Sequence, residues 1–297
     1  MKRLFDPSRN HLSLWTWIYD PENPGRRLDR SERPEKARAT SLHYASFCGI
    51  RDVAKFLIIE HSQDVNIRGF KEETPLHVAL RCGHADVAHL LLDHGADTEA
   101  QDNHARTPLF RASKAGLVDV VLVLLELGAD AKAQNAIGCS PLEWASDGGH
   151  VEVARILLEH GAVVQTQDKH KYTPLHVAHG EEIARLLLKH GADANALDHN
   201  GQIPLHFASE HGRVGAARVF LEHGVDANAR DTYGATPLHV ASREGYYGCV
   251  QLLLQNGAEI HARDHMDQTS FMMAAARGHR DTMHLLLKYG AEDHREQ

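Results

Sequence analysis

One short block recurs eight times along these 297 residues and leaves few folds open. It reads Thr40-Ser-Leu-His-Tyr-Ala, Thr74-Pro-Leu-His-Val-Ala, Thr107-Pro-Leu-Phe-Arg-Ala, Ser140-Pro-Leu-Glu-Trp-Ala, Thr173-Pro-Leu-His-Val-Ala, Ile203-Pro-Leu-His-Phe-Ala, Thr236-Pro-Leu-His-Val-Ala and Thr269-Ser-Phe-Met-Met-Ala. Successive starts lie 33 residues apart, apart from one step of 34 and one of 30. A second block, of the type Leu90-Leu-Leu-Asp-His-Gly-Ala-Asp97, follows each start at a nearly fixed offset. Such a chain is a row of like units. Each is too small to hide its own apolar face, so stability has to come from stacking.

Each unit can be read from local chemistry. The Thr or Ser hydroxyl caps a helix, and Pro at the first helical position loses only an N–H that had no partner. A glycine such as Gly83, Gly149 or Gly245 ends this short helix. The Leu-rich block forms a second helix that stops at Gly95, Gly128, Gly161, Gly191, Gly224, Gly257 or Gly290, and a polar run then leads to a hairpin turn.

The Thr-Pro-Leu-His-x-Ala signature at period 33 resembles the ankyrin repeat family over roughly residues 35–293. The resemblance implies an all-α solenoid of stacked helix-turn-helix units with short β-hairpin loops. It further implies a concave, protein-binding groove lined by hairpin tips and first helices. We expect residues 1–39 to be an N-terminal cap helix with a basic Pro/Arg-rich connector, 40–293 the array, and 294–297 a polar tail. In the first segment Leu12, Trp15 and Ile18 fall at helical spacing, so Trp15 and Trp17 are expected to cover the first repeat. The sharper alternative is a docking peptide. The Trp-x-Trp-Ile-Tyr-Asp stretch also looks like the junction in fungal proteins that joins a NACHT-type NTPase to ankyrin arrays, although no NTPase motif is present.

Composition narrows the function classes. No apolar stretch approaches the ~20 residues that span a bilayer, and Asp6 and Pro7 interrupt the N-terminus before any secretory apolar run. An intracellular, cytoplasmic or nuclear, protein is expected, with no membrane partner. The net charge of −8 divides into +3 on residues 1–39 and −11 on the rest, a balance that repels nucleic-acid phosphates. The sequence contains no HExxH, GxSxG, GxxxxGK[ST] or helix-opening GxGxxG, so no enzyme activity and no cofactor are expected. Cys48, Cys82, Cys139 and Cys249 form no CxxC pair and are expected to be reduced thiols.

The 24 histidines mostly obey the repeat. His43, His77, His176, His206 and His239 occupy the Thr-Pro-Leu-His slot, which in the resembled family bridges neighbouring backbones. His84, His150 and His279 follow interhelical glycines, and His61, His94, His160, His190 and His223 close second helices at their negative ends. His261 and His265 superficially offer metal-ligand spacing, but stacked repeats about 10 Å apart cannot close a zinc shell of ~2 Å bonds. No metal is expected. Asn66, Asn195 and Asn228 are read as side chains that tie down turns. Full titration of the histidines would carry the charge from −8 towards +16, so partner binding is expected to respond to pH.

The array departs from its pattern once. The segment from Thr173 to Gln202 is three residues short, about one helical turn, and the next repeat begins with Ile203 in place of a capping Thr. Residues 173–206 are therefore expected to form a bend or hinge dividing the groove. By register, the residues that packing does not dictate give the partner-binding candidates Arg81, Arg106, Lys114, His170, Tyr172, His199, Glu210, His211, Tyr233, Arg243 and Arg277. The expected function is a monomeric, non-catalytic scaffold that binds a protein partner. The alternatives are a recognition module of a NACHT-type signalling NTPase system, and a substrate adaptor for a protein-modifying enzyme.

Overall fold

A computed structural model describes residues 39–292, and these fall into two compact bodies divided between Ala136 and Ile137. The expectations for Trp15, Trp17 and the rest of residues 1–38, and for the polar tail, lie outside the described residues.

The N-terminal body contains α1 (Ser41–Phe47), α2 (Arg51–Ile59), α3 (Pro75–Arg81), α4 (Ala85–Asp93), α5 (Pro108–Ala115) and α6 (Val118–Glu126), with a 3₁₀ turn at Phe70–Glu72. The C-terminal body contains α7 (Pro141–Asp147), α8 (Val151–Glu159), α9 (Glu181–Lys189), α10 (Pro204–Glu210), α11 (Val214–Glu222), α12 (Pro237–Glu244), α13 (Tyr247–Gln255), α14 (Ser270–Arg277) and α15 (Arg280–Lys288). Within each body first helices pack on first helices and second helices on second helices, in the α-solenoid order that the repeat requires. Leu76, Leu109, Leu142, Leu175, Leu205 and Leu238 of the first block are fully buried. So is one residue of each second block: Leu57, Leu91, Leu124, Leu157, Leu187, Phe220, Leu253 and Leu286. Each such side chain contributes about 1.5–3 kcal/mol.

The first helices start where their caps place them. Thr74 Oγ1 accepts the His77 N–H, as Thr107, Ser140 and Thr269 accept the corresponding amides. Gly116, at φ 70°, takes the left-handed conformation that ends α5. Among the described residues no strand forms, and the β-hairpin loops expected from the sequence are closed as turns. Five of the turns are built on an aspartate. The Asp102 N–H bonds Arg106 O at 3.1 Å, and Asp102 Oδ1 accepts the amides of His104 and Arg106. Asp168, Asp198, Asp231 and Asp264 repeat this arrangement.

The fifth repeat corrects the sequence reading. More than one helical turn is lost, because Pro174–Val177 forms only a turn and the first helix of this repeat is absent. The bond from His176 N to Thr173 O is of the tight three-residue kind. The chain then reverses at Gly180, whose φ of 95° is open to glycine, and enters α9 directly. The row of first helices in the C-terminal body is therefore interrupted between α7 and α10.

Candidate functional site

The slot histidines are structural. Nε2 of His43, His77, His176, His206 and His239 faces a carbonyl of the next turn, Glu73, Arg106, Gln202, Ala235 and Gln268 respectively, at 2.8–3.2 Å. A carbonyl only accepts, so Nε2 carries the proton and Nδ1 receives the capping residue's amide. Burial holds all five below the usual imidazole range, opposed in part by these bonds, and His77 falls to about 4. Burial thus favours their neutral form. The charge swing expected from full histidine titration is correspondingly smaller in the folded chain.

The helix-closing histidines behave as their register suggests. Nδ1 of His94, His160, His190 and His223 bonds the carbonyl four residues earlier at 2.8–2.9 Å. Asn66 and Asn228 tie adjacent loops through Gly95 O and Gly257 O and through the amides of Asp97 and Glu259. The candidate residues lie on the tips and the outward ends of the first helices.

In the C-terminal body the tips are linked in series by backbone bonds. Lys169 N donates to Ile137 O, His199 N to His170 O, Thr232 N to Asn200 O, and His265 N to Tyr233 O, all at 2.8–3.1 Å. His199 Nε2 adds a bond to Lys169 O at 2.7 Å. The most exposed apolar side chains of this row are Tyr233, at 64% exposure, and Met266, at 79%. Behind it, Tyr172 meets Phe207 edge to face with centroids 5.3 Å apart, and His211 stacks on Phe207 at 4.2 Å. Tyr172 also lies near His170 and His176. Burial, and then the negative Asp198, Glu210 and Asp168, raise its phenol above the ordinary range.

Two members of this cluster escape the sequence reading. Phe207 occupies the variable position of its block, where Val78, Val177 and Val240 are buried. With no first helix in the repeat before it, Phe207 is only half-buried and meets Tyr172 instead. Arg213 replaces the histidine that follows the interhelical glycine. His84 Nε2 and His279 Nε2 bond one carbonyl at the end of the preceding first helix, Phe47 O and Arg243 O. Arg213 reaches Val177 O at 2.5 Å and Asp147 at 2.8 Å, and lies over the Phe207 ring. The longer side chain spans the missing helix. The sequence signal was available: Arg stands at the one Gly-His link that follows the shortened repeat.

The remaining candidates divide. Glu210 and Arg243 pair at 3.1 Å, and Arg243 also holds Glu244 at 2.7 Å. Arg277 is exposed at the end of α14. Arg81, Arg106 and Lys114 belong to the N-terminal body, so the eleven candidates are not one cluster. Arg106 is turned inward, with Nε 2.7 Å from the buried Asp102, while Arg81 leans 3.5 Å from the buried Glu73. Both finish an ion-pair group centred on buried Arg111, whose Nη2 lies 2.5 Å from Glu73 and 3.0 Å from Asp102. His261 and His265 join no group of three ligating side chains among the described residues, where only Cys139, Glu143 and Asp168 form one.

No helix among the described residues is long and apolar enough to cross a membrane. A family model described as ankyrin repeats matches three times, over residues 42–135, 127–198 and 179–264. No curated protein matches the chain.

Proposed function

The chain belongs to the ankyrin-repeat family, whose repeats generally serve protein–protein interaction, and we propose that it binds a protein partner through the tips and aromatic cluster of its C-terminal body. The observation that carries this reading is the tip row. It holds Tyr233 and Met266 in solvent on backbone cross-linked by hydrogen bonds, beside the Tyr172–Phe207–His211 stack. Presenting aromatic and sulfur-bearing side chains on rigid supports lowers the ordering cost of association. His170, His199, Glu210, Arg243 and Arg277 form a polar surround of mixed charge, so the partner face is apolar at its centre and of no single sign at its edge. Arg81, Arg106 and Lys114 are secondary to this surface, the first two being engaged with Glu73 and Asp102. The chain acts without catalysis, as a monomeric scaffold.

Affinity capture from native cell extract with wild type and a Tyr233→Ala/Met266→Ala variant tests this reading. Both side chains are exposed, so the variant keeps its fold. A protein recovered by wild type and lost from the variant supports the assignment. Recovery of the same set by both contradicts it.

A further inference from the structure

We propose that Cys139, Glu143 and Asp168 form a binding site for a divalent transition-metal cation of the zinc class. Cys139 Sγ and one carboxylate oxygen from each of the other two lie within 4.8 Å of one another, and all three residues are buried. The sequence-based expectation of no metal considered histidine spacing; this group comes together through the register of the repeat instead.

Charge makes the argument. Asp168 Oδ1 is occupied by the amides of His170 and Tyr172, while Oδ2 faces Cys139 Sγ at 4.0 Å. Glu143 is 6% exposed, and its Oε2 has no hydrogen-bond partner among the described residues. Neither carboxylate is in an ion pair with a described Arg, Lys or His; Arg213 serves the neighbouring Asp147. The charges acting on Glu143 are those of Asp168 and Asp147, both negative. A buried carboxylate without a counter-charge is costly, and an unsatisfied buried oxygen adds to that cost.

The N-terminal body shows what the same positions hold when the charge is balanced. Two repeats earlier, Glu73 stands at the position of Cys139 and Asp102 at that of Asp168. There Arg81, Arg106 and Arg111 converge on the two carboxylates. The positions of those three arginines are taken by Asp147, Tyr172 and Val177, and the position of neutral His77 by Glu143. The three arginines have gone, Glu143 and Asp147 have been added, and Glu73 has given way to a thiol. Among the described residues, the second site has no positive charge at its centre.

The donor set selects the ion. A thiolate beside two carboxylates favours zinc-class metals over magnesium or calcium, which take oxygen ligands in larger number. Around zinc, ligand atoms stand about 3.5 Å apart, so the widest pair closes by about an ångström on binding. Binding deprotonates the Cys139 thiol and any protonated Glu143, and the protons leave to solvent. Three anionic ligands then face two positive charges, with a fourth coordination position open.

The test is cobalt and zinc titration of the full chain, stripped with a chelator, in a Cys48→Ser/Cys82→Ser background that removes the less buried thiols. The expected result is one equivalent of cobalt bound with a sulfur-to-cobalt charge-transfer band. Cys139→Ser should abolish the band. Glu143→Gln, which keeps both thiol and shape, should weaken binding at least tenfold. Zinc should raise the melting temperature of the parent and not that of Cys139→Ser. Absence of the band, its persistence in Cys139→Ser, or unchanged affinity in Glu143→Gln would overturn the site. If Cys139→Ser does not fold, the Glu143→Gln titration decides the question alone.

Discussion

The Glu73–Asp102 region and the Cys139–Asp168 region sit at the same register of the same repeat, yet they treat buried charge in opposite ways. The first surrounds two carboxylates with three arginines, one of them buried. The second retains Asp168 in its turn, replaces Glu73 by a thiol, adds Glu143 and pairs neither carboxylate with an arginine among the described residues. Part of the difference traces to one structural event. Arg111 projects from α5, whereas the corresponding Val177 lies in the turn that replaces the missing first helix of the fifth repeat. Losing that helix removed the platform from which an arginine at the position of Arg111 could reach the aspartate, while Asp147 and Tyr172 replace the other two arginines on backbone that is retained. The repeat register specifies where chemistry happens, and the variable positions decide which chemistry.

The largest expected effect comes from breaking the balanced region. Arg111→Met leaves Glu73 and Asp102 buried with two partly exposed arginines, and should cost about 3–5 kcal/mol in urea denaturation. Acid is next. The folded-state pKa of His77 is lowered to about 4, so its contribution is fully present above the unfolded value of 6.5 and is lost as pH falls towards 4. From this residue alone stability should drop by about 2 kcal/mol between pH 7 and 5, and the four other slot histidines act in the same direction. Denaturation midpoints that stay flat over that range would contradict the neutral-histidine assignment.

Smaller effects sharpen the contrast. Arg213→Ala should cost about 1–2 kcal/mol, because the exposed Asp147 ion pair is worth little and the Val177 carbonyl bond contributes the rest. Hydrogen exchange should quicken at residues 174–180 and not in α1–α6. Tyr172→Arg places a cation where Arg106 stands beside Asp102, so it should reduce the zinc-dependent rise in melting temperature while stabilising the metal-free chain by about 1 kcal/mol. Calorimetry with and without chelator separates the two. Smallest of all, Tyr233→Ala should alter stability by no more than about 0.5 kcal/mol.

Much of this architecture is written locally. The Thr-Pro-Leu-His blocks fix helix starts through a hydroxyl, a ring and an imidazole within four residues, and the second-block leucines fix the buried face. Glycine marks the ends. The roles of His77, His94 and Asn66 follow from register because each repeats a bond made elsewhere in the chain. What could not be read from any one block is the consequence of a block that fails. The shortening after Thr173 is visible, but the loss of a whole helix depends on whether five residues between Thr173 and His179 can complete a turn and still reach α9. Once they do not, Phe207 becomes accessible, Tyr172 packs on it, and Arg213 reaches across. The ion pairs of Arg81 and Arg106 are hidden from the sequence for the converse reason. Their carboxylate partners are buried, Glu73 directly before a capping threonine and Asp102 in the next turn.

The functional claim is tested most directly by placing a photo-crosslinking amino acid at Tyr233, and separately at Leu127, in the full chain and irradiating native extract. Both positions expose an apolar side chain, at 64% and 56%, but only Tyr233 lies in the tip row. A dominant covalent adduct from position 233, and none from 127, is expected. Adducts of equal yield from both, or from 127 alone, would contradict recognition by the tips.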